Sequence, residues 1–189
     1  MTTIVQNGNP VLRQIAKDVP LAEIGSAHLR KVLREMSTAL ATQEDGVAIA
    51  APQIGYSLRI FVVSGKVTDR LRESQKKEGG EDKKVPPSPD IVFINPVVTR
   101  LSKKRDLLEE GCLSVRWLYG KVKRSEKALV TAYDEKGKKF SRSGAGLMAQ
   151  IFQHEVDHLN GILFVDNAID VVELSPEKRV ARRKKLKAE

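Results

Sequence analysis

Apolar positions along this chain repeat with two periods. Leu29, Val32, Leu33, Met36 and Leu40 recur at steps of three and four, the spacing of one face of a helix. Ser26 stands where a helix N-cap belongs and Gly46 lies just past the end. Leu147 to Leu159 reads as a second helix, stopped by Asn160-Gly161. Asn9-Pro10 supplies a cap and a first-turn proline for a short helix running to about Lys17, and Pro20 closes that region. Strands are expected at Leu58 to Val63, Ile91 to Ile94, Val97 to Leu101 and Ile162 to Val165. Ala128 to Tyr133 and Lys138 to Ser141 flank Asp134-Glu135-Lys136-Gly137, which is hairpin chemistry. Helices and strands do not alternate as βαβ units, and no internal repeat is visible. The expected class is therefore α+β, with mainly antiparallel strands packed around a central helix.

One stretch changes character. Residues from about 66 to 90 are charged and then proline-rich, and cannot bury enough apolar surface to offset the entropy of ordering. The expectation is a mobile surface insertion within a single catalytic domain spanning 1–174. Residues 175–189 are expected to form a basic C-terminal helix or tail. From Glu177 to Glu189 there are seven basic residues and two acids, 7 − 2 = +5, more than half of the formal charge of +9. A basic tail either binds an anionic surface such as nucleic acid or is simply a solvated helix.

Composition narrows the setting. With 41% apolar and 30% charged residues, the 189-residue chain is globular in profile. No apolar run approaches the roughly 18 to 20 residues of a membrane span. The first seven residues lack a basic stretch followed by an apolar one, so no secretory leader is expected. A single cysteine, Cys112, cannot form an internal disulfide. A cytoplasmic monomer with no membrane partner is the default.

The chemistry concentrates at His154-Glu155-Val156-Asp157-His158. Residues four apart share one face of a helix, so both imidazoles can reach one metal ion, while Glu155 can reach a water beside it. A catalytic metal needs a third protein ligand. Asp166 and Asp170 are downstream candidates, and Cys112 is the upstream one. The short pattern alone leaves a metal-dependent hydrolase, with a zinc peptidase as one form of it, and a metal-stabilised binding module open.

Glu110-Gly111-Cys112-Leu113-Ser114, Gln153-His154-Glu155-Val156-Asp157-His158 and Gly46-Val47-Ala48-Ile49-Ala50-Ala51-Pro52-Gln53 resemble, in order, the second, third and first motifs of peptide deformylases. The match runs from about Val11 to Val165. The resemblance implies removal of the N-formyl group from the formylmethionine that begins new polypeptides. It implies that Cys112, His154 and His158 hold one divalent ion, with Glu155 as general base and then acid, and with the Gln53 amide and the Leu113 backbone N–H as oxyanion donors. Gly46, Val47 and Ala48 would clamp an extended peptide. Leu147 and Ile151 would line the methionine pocket, and Glu110 and Gly111 would border the site. Arg124 and Glu110 match an ion pair that braces the cysteine loop, a pair expected to be weak if exposed. By ligand softness the ion would be zinc. The resemblance implies iron(II) in the cell, replaceable by nickel, cobalt or zinc, and ribosome contact through the basic tail. Two departures stand out: Ala48 occupies a position usually held by glycine, and Arg116-Trp117 follows Ser114-Val115 where a proline is usual.

Overall fold

The computed structural model describes residues 3–74 and 85–175. Residues 1–2, 75–84 and 176–189 fall outside that description, and with them the expected basic C-terminal helix.

Eight strands and three α-helices make up the described chain. They run α1 (Ala27–Ala41), β1 (Ala48–Ala50), β2 (Ile60–Val63), α2 (Gly65–Ser74), β3 (Ile91–Leu101), β4 (Arg105–Cys112), β5 (Val115–Ser125), β6 (Lys127–Tyr133), β7 (Lys139–Ala145), α3 (Leu147–Leu159) and β8 (Ile169–Glu173). One sheet has the order β1-β2-β3-β6-β7 and a second the order β4-β5-β8. Every pairing between these strands is antiparallel. The expected α+β architecture is the observed one.

Two layers of side chains explain the strand patterns. Ile60 and Val62 of β2 pack with Leu29, Val32, Met36 and Leu40 of α1. Phe61 and Val63 point the other way and pack with Met148, Ala149, Ile151 and Phe152 of α3. β2 is thus covered on both faces, which is why its sequence is a continuous apolar run rather than an alternation. Phe61 stacks on Phe93 with ring centroids 4.4 Å apart, and Phe152 meets Phe93 edge-on at 5.3 Å. Burying each such ring stabilises the fold by about 1.5–3 kcal/mol. The helix that carries the metal motif is therefore seated within this aromatic core. α1 begins as its sequence indicates, the Ser26 hydroxyl accepting from the Leu29 N–H at 3.1 Å.

The structure corrects four expectations. The insertion expected at 66–90 begins as helix α2, because Val67 and Leu71, one turn apart, pack into the α3 core. Its stem is clamped: the Gly65 N–H donates to Asp90 Oδ1 at 3.0 Å, the Ser88 N–H donates to Asp69 at 3.2 Å, and Arg72 Nη2 donates to Ser88 Oγ at 2.9 Å. A Cβ on Gly65 would sit 1.8 Å from the Ser88 carbonyl oxygen, so only glycine fits there. The strands expected at Ile91–Ile94 and Val97–Leu101 are one strand, β3, whose register shifts across Asn95-Pro96. Asn95 takes a positive φ of 50° and uses its side-chain amide to bind the Val19 N–H and carbonyl, both at 2.8 Å. The segment Ile162–Val165 forms no strand. Asp166 Oδ2 accepts from the Leu163 N–H at 2.8 Å and closes a 3-10 turn, while Leu163 and Phe164 are buried with Leu12, Val115 and Val122. Those apolar residues record core packing, and the strand, β8, comes three residues after the turn ends. The helix expected to reach Lys17 is only a 3-10 turn, Pro10–Arg13, capped by Asn9 Oδ1 on the Val11 N–H at 3.1 Å.

Candidate metal centre

α3 and the end of β4 bring the three proposed ligands together. His154 and His158 lie one turn apart on α3, and Cys112 ends β4 where the register with β5 shifts. The His158 Nε2 is 3.2 Å from Cys112 Sγ. The donor atoms of Cys112, His154 and His158 all lie within 4.8 Å of one another. Gly111 makes the approach possible: a Cβ there would meet the Tyr119 ring at 2.6 Å.

A buried polar network fixes His154. Glu110 Oε2 accepts from His154 Nδ1 at 3.0 Å, leaving Nε2 as the ring nitrogen available to a metal. Arg124 grips the same carboxylate with two hydrogen bonds, Nε to Oε1 at 2.8 Å and Nη2 to Oε2 at 3.0 Å. Its Nη1 reaches Asp157 Oδ2 at 2.6 Å. Glu110 and Arg124 are only 5% and 7% exposed, so the pair expected to be weak at the surface is a buried one. Burial alone would raise the Glu110 carboxyl, but hydrogen bonds from His154 and Arg124 carry it from 4.5 down to about 2. At Cys112, burial likewise opposes ionisation. The adjacent His158 and His154 overcome it and lower the thiol to about 5, so the sulfur is held as thiolate at neutral pH.

Glu155 is placed differently. Its carboxylate is buried, and Oε2 has no hydrogen-bond partner among the described residues. Burial, opposed by the two imidazoles, raises its pKa to about 7. A carboxylate in that range at neutral pH can accept a proton and give it back. Gln53 is 1% exposed and its orientation is set by the backbone: Oε1 accepts from the Ala50 N–H at 2.8 Å. That turns Nε2 toward Ser114 Oγ at 3.2 Å and Cys112 Sγ at 3.5 Å.

These groups open on a cleft of about 400 Å³. Gly46, Val47, Ala48, Gln53, Glu110, Gly111, Cys112, Leu113, Leu147, Ile151, His154 and Glu155 all line it, and His158 is buried behind them. Ile151 is buried, whereas Leu147 is 39% exposed at the rim. Ala48 is buried in β1, opposite Val63. Arg116, the departure at the rim, donates to Gln43 at 2.6 Å and to Asp45 at 3.2 Å and lies over the Trp117 ring at 4.9 Å. Asp166 and Asp170 do not join the site. Asp166 pairs with Arg13 at 2.5 Å and Asp170 with Lys121 at 2.9 Å. A soft thiolate, two imidazoles, one of them oriented by Glu110, and the unpartnered Glu155 Oε2 beside them suit one divalent ion with a coordination position left for reactants.

Sequence reasoning missed Gln150, Arg70, Tyr119 and Leu174 on the cleft and Asp157 in the network. Gln150 lies one turn before His154 and donates to Glu110 at 3.3 Å, so helical spacing could have found it. Tyr119 and Leu174 arrive through strand pairing, for which no local signal exists.

Residues 1–173 match the sequence profile of the polypeptide deformylase family. The chain is 38% identical to the chloroplastic peptide deformylase 1A of Solanum lycopersicum over 88% of its own length and 59% of the relative's. It thus spans about three fifths of the length of the plant organellar relatives it matches. It is 36% identical to a peptide deformylase of Fusobacterium nucleatum over 96% of this chain and 92% of that one. The fold superposes on the Met-Ala-Ser-bound class I type b peptide deformylase of Acinetobacter baumannii with a TM-score of 0.72 and 32% identity, covering 88% of this chain and 99% of that one.

Proposed function

Because the chain belongs to the polypeptide deformylase family, we propose that it hydrolyses the formyl amide of formylmethionyl polypeptides, releasing formate and a free amine. The observation that carries this reading is the unpartnered buried Oε2 of Glu155 in the cleft that holds the Cys112, His154 and His158 donors. When held by Cys112 Sγ and the two imidazoles, a divalent ion supplies Lewis-acid chemistry, lowering the pKa of a water and polarising the formyl oxygen.

The remaining work falls to the chain's own groups. Glu155 takes a proton from the attacking water and returns it to the leaving amine, so it acts as base and then acid. The new bond joins water oxygen to the formyl carbon, and the bond from that carbon to the methionine nitrogen breaks. Charge developing on the formyl oxygen meets the Gln53 side-chain N–H and the Leu113 backbone N–H, donors whose single loss costs about 100- to 1000-fold in rate. β1 is an edge strand, and Gly46, Val47 and Ala48 line the cleft, so an extended peptide can add along that edge. Ile151 and Leu147 offer the apolar wall for the methionine side chain, with Glu110 and Gly111 on the cysteine side. The Met-Ala-Ser bound by the Acinetobacter relative supports a substrate of this kind. The ion is iron(II) in the cell by family resemblance, although thiolate and imidazole also suit zinc. A zinc peptidase completed by Asp166 or Asp170 finds no support, since both carboxylates are committed to cations elsewhere.

Formate release from formyl-Met-Ala-Ser by anaerobically purified protein tests the reading. Glu155→Ala should keep near-stoichiometric metal and lose at least about a thousandfold in turnover, as expected when an acid–base group and water activation are lost together. Turnover within tenfold of wild type would overturn the mechanism.

A further inference from the structure

The metal centre and the β1 edge account for the inner cleft but not for one cation at its mouth. Arg70 lines the cleft, is exposed, and its guanidinium forms no ion pair or hydrogen bond with any described residue. It stands on α2, a helix that is firmly held at that end of the molecule. Val67 is fully buried, Leu71 packs beside it, and the Gly65–Asp90, Asp69–Ser88 and Arg72–Ser88 hydrogen bonds tie both flanks of the helix to the chain leading into β3. The guanidinium is therefore carried by a rigid element, which lowers the entropy of using it.

Chain geometry says what passes it. The Ser64 N–H donates to the Val47 carbonyl at 2.9 Å, so α2 starts directly beside the outer end of the β1 edge. A peptide laid along that edge, with its formyl end at the metal donors, has its downstream residues at this outer end. The other charged groups on the rim are Glu44, Asp45, Glu109 and Arg116. Arg116 is occupied by Asp45 and Gln43.

We propose, building on the deformylase reading, that Arg70 is a specificity residue that favours substrates with an acidic side chain at the second or third position. An Arg–carboxylate pair at a half-open rim is worth about three- to fivefold in relative kcat/KM. Glu44, on the same rim, opposes the preference and moderates it.

The test uses C-terminally amidated peptides, formyl-Met-Ala-X-amide and formyl-Met-X-Ser-amide, with X as Asp, Ser or Lys. The amide removes the terminal carboxylate that would otherwise mimic an acidic residue. The readout is the ratio of kcat/KM for X = Asp over X = Lys at one of the two positions, measured with metal-loaded protein at low salt. Wild type should give a ratio of about three to five. Arg70→Glu should invert it through KM, and Glu44→Gln should raise it. Arg100→Gln removes the same charge from the exposed part of β3 and should leave the ratio as it is. An Arg70→Glu ratio equal to wild type overturns the proposal, and so does an equal shift on Arg100→Gln, which would mean general charge steering. Equal formate release from every peptide sinks the Arg70 assignment alone, whereas no formate from any peptide sinks the deformylase reading as well.

Discussion

Besides accepting from Gln150, Glu110 pairs with Arg124 and orients His154, and these two services can be measured apart. Removing Arg124, as Met, deprives the buried Glu110 and the partly buried Asp157 of the cation that holds them at 2.8 and 2.6 Å. Breaking one side of a buried pair costs about 3–5 kcal/mol. Glu110→Gln loses the pairing too, but it also releases His154 Nδ1, held at 3.0 Å. Loss of such an orienting partner weakens metal affinity by about 10- to 100-fold. At saturating metal that removes a further 1.4–2.7 kcal/mol or so of linked stability. Urea unfolding, followed by the fluorescence of Trp117, the only tryptophan, should be run with metal and with chelator. Arg124→Met should cost about the same in both conditions, whereas Glu110→Gln should cost more with metal than without. The pH dependence has a definite sign. The folded pKa of Glu110 lies below the unfolded one, so its contribution is complete above about 4.5 and fades as pH falls toward about 2. Wild type and Glu110→Gln should therefore converge in stability at acid pH. Two results would refute this reasoning: an Arg124→Met penalty under about 1 kcal/mol, or a Glu110→Gln penalty that metal does not change.

Iron-loaded protein should lose activity in air while nickel- and zinc-loaded protein keep theirs. The single thiolate ligand stands beside an oxidisable ion, and no second cysteine exists to form a protective disulfide. Equal decay of all three forms against anaerobic controls would count against it. Deleting residues after Leu174 should leave turnover of a short formyl peptide within about threefold and weaken ribosome binding at least tenfold at low salt, the loss of two or more phosphate contacts. The cut keeps Leu174, which lines the site and whose N–H donates to the Trp117 carbonyl at 2.9 Å. Unchanged ribosome affinity, or collapse of peptide turnover in a folded truncation, would contradict it.

Much of this was legible in the sequence because local rules govern it. α3 spans Leu147–Leu159 as its periodicity and its Asn-Gly stop indicate, and the β6–β7 hairpin follows its turn chemistry. Two histidines at helical spacing must share a face, so that half of the metal centre is dictated locally. Cys112 was one candidate third ligand among others, and only the resemblance singled it out, because its position depends on the β4–β5 pairing across a register shift. β8 escaped notice for a different reason. All five of its residues are exposed, and apolar Ile169, Val171 and Val172 show no alternation to read. The insertion misled through averaging: a charged composition concealed Val67 and Leu71, two residues that suffice to anchor a helix. The strength of the Arg124–Glu110 pair could not be judged either, since burial is a property of the assembled fold.

The clamped stem of α2 has a further use. Gly65 and Ser88 meet so closely that the two sides of the insertion are fastened before the segment between them begins. For a loop closed at its base, added length costs little, each doubling about 0.6 kcal/mol. Length added to the chain between these two clamped sides should therefore leave the β2–β3 pairing in place.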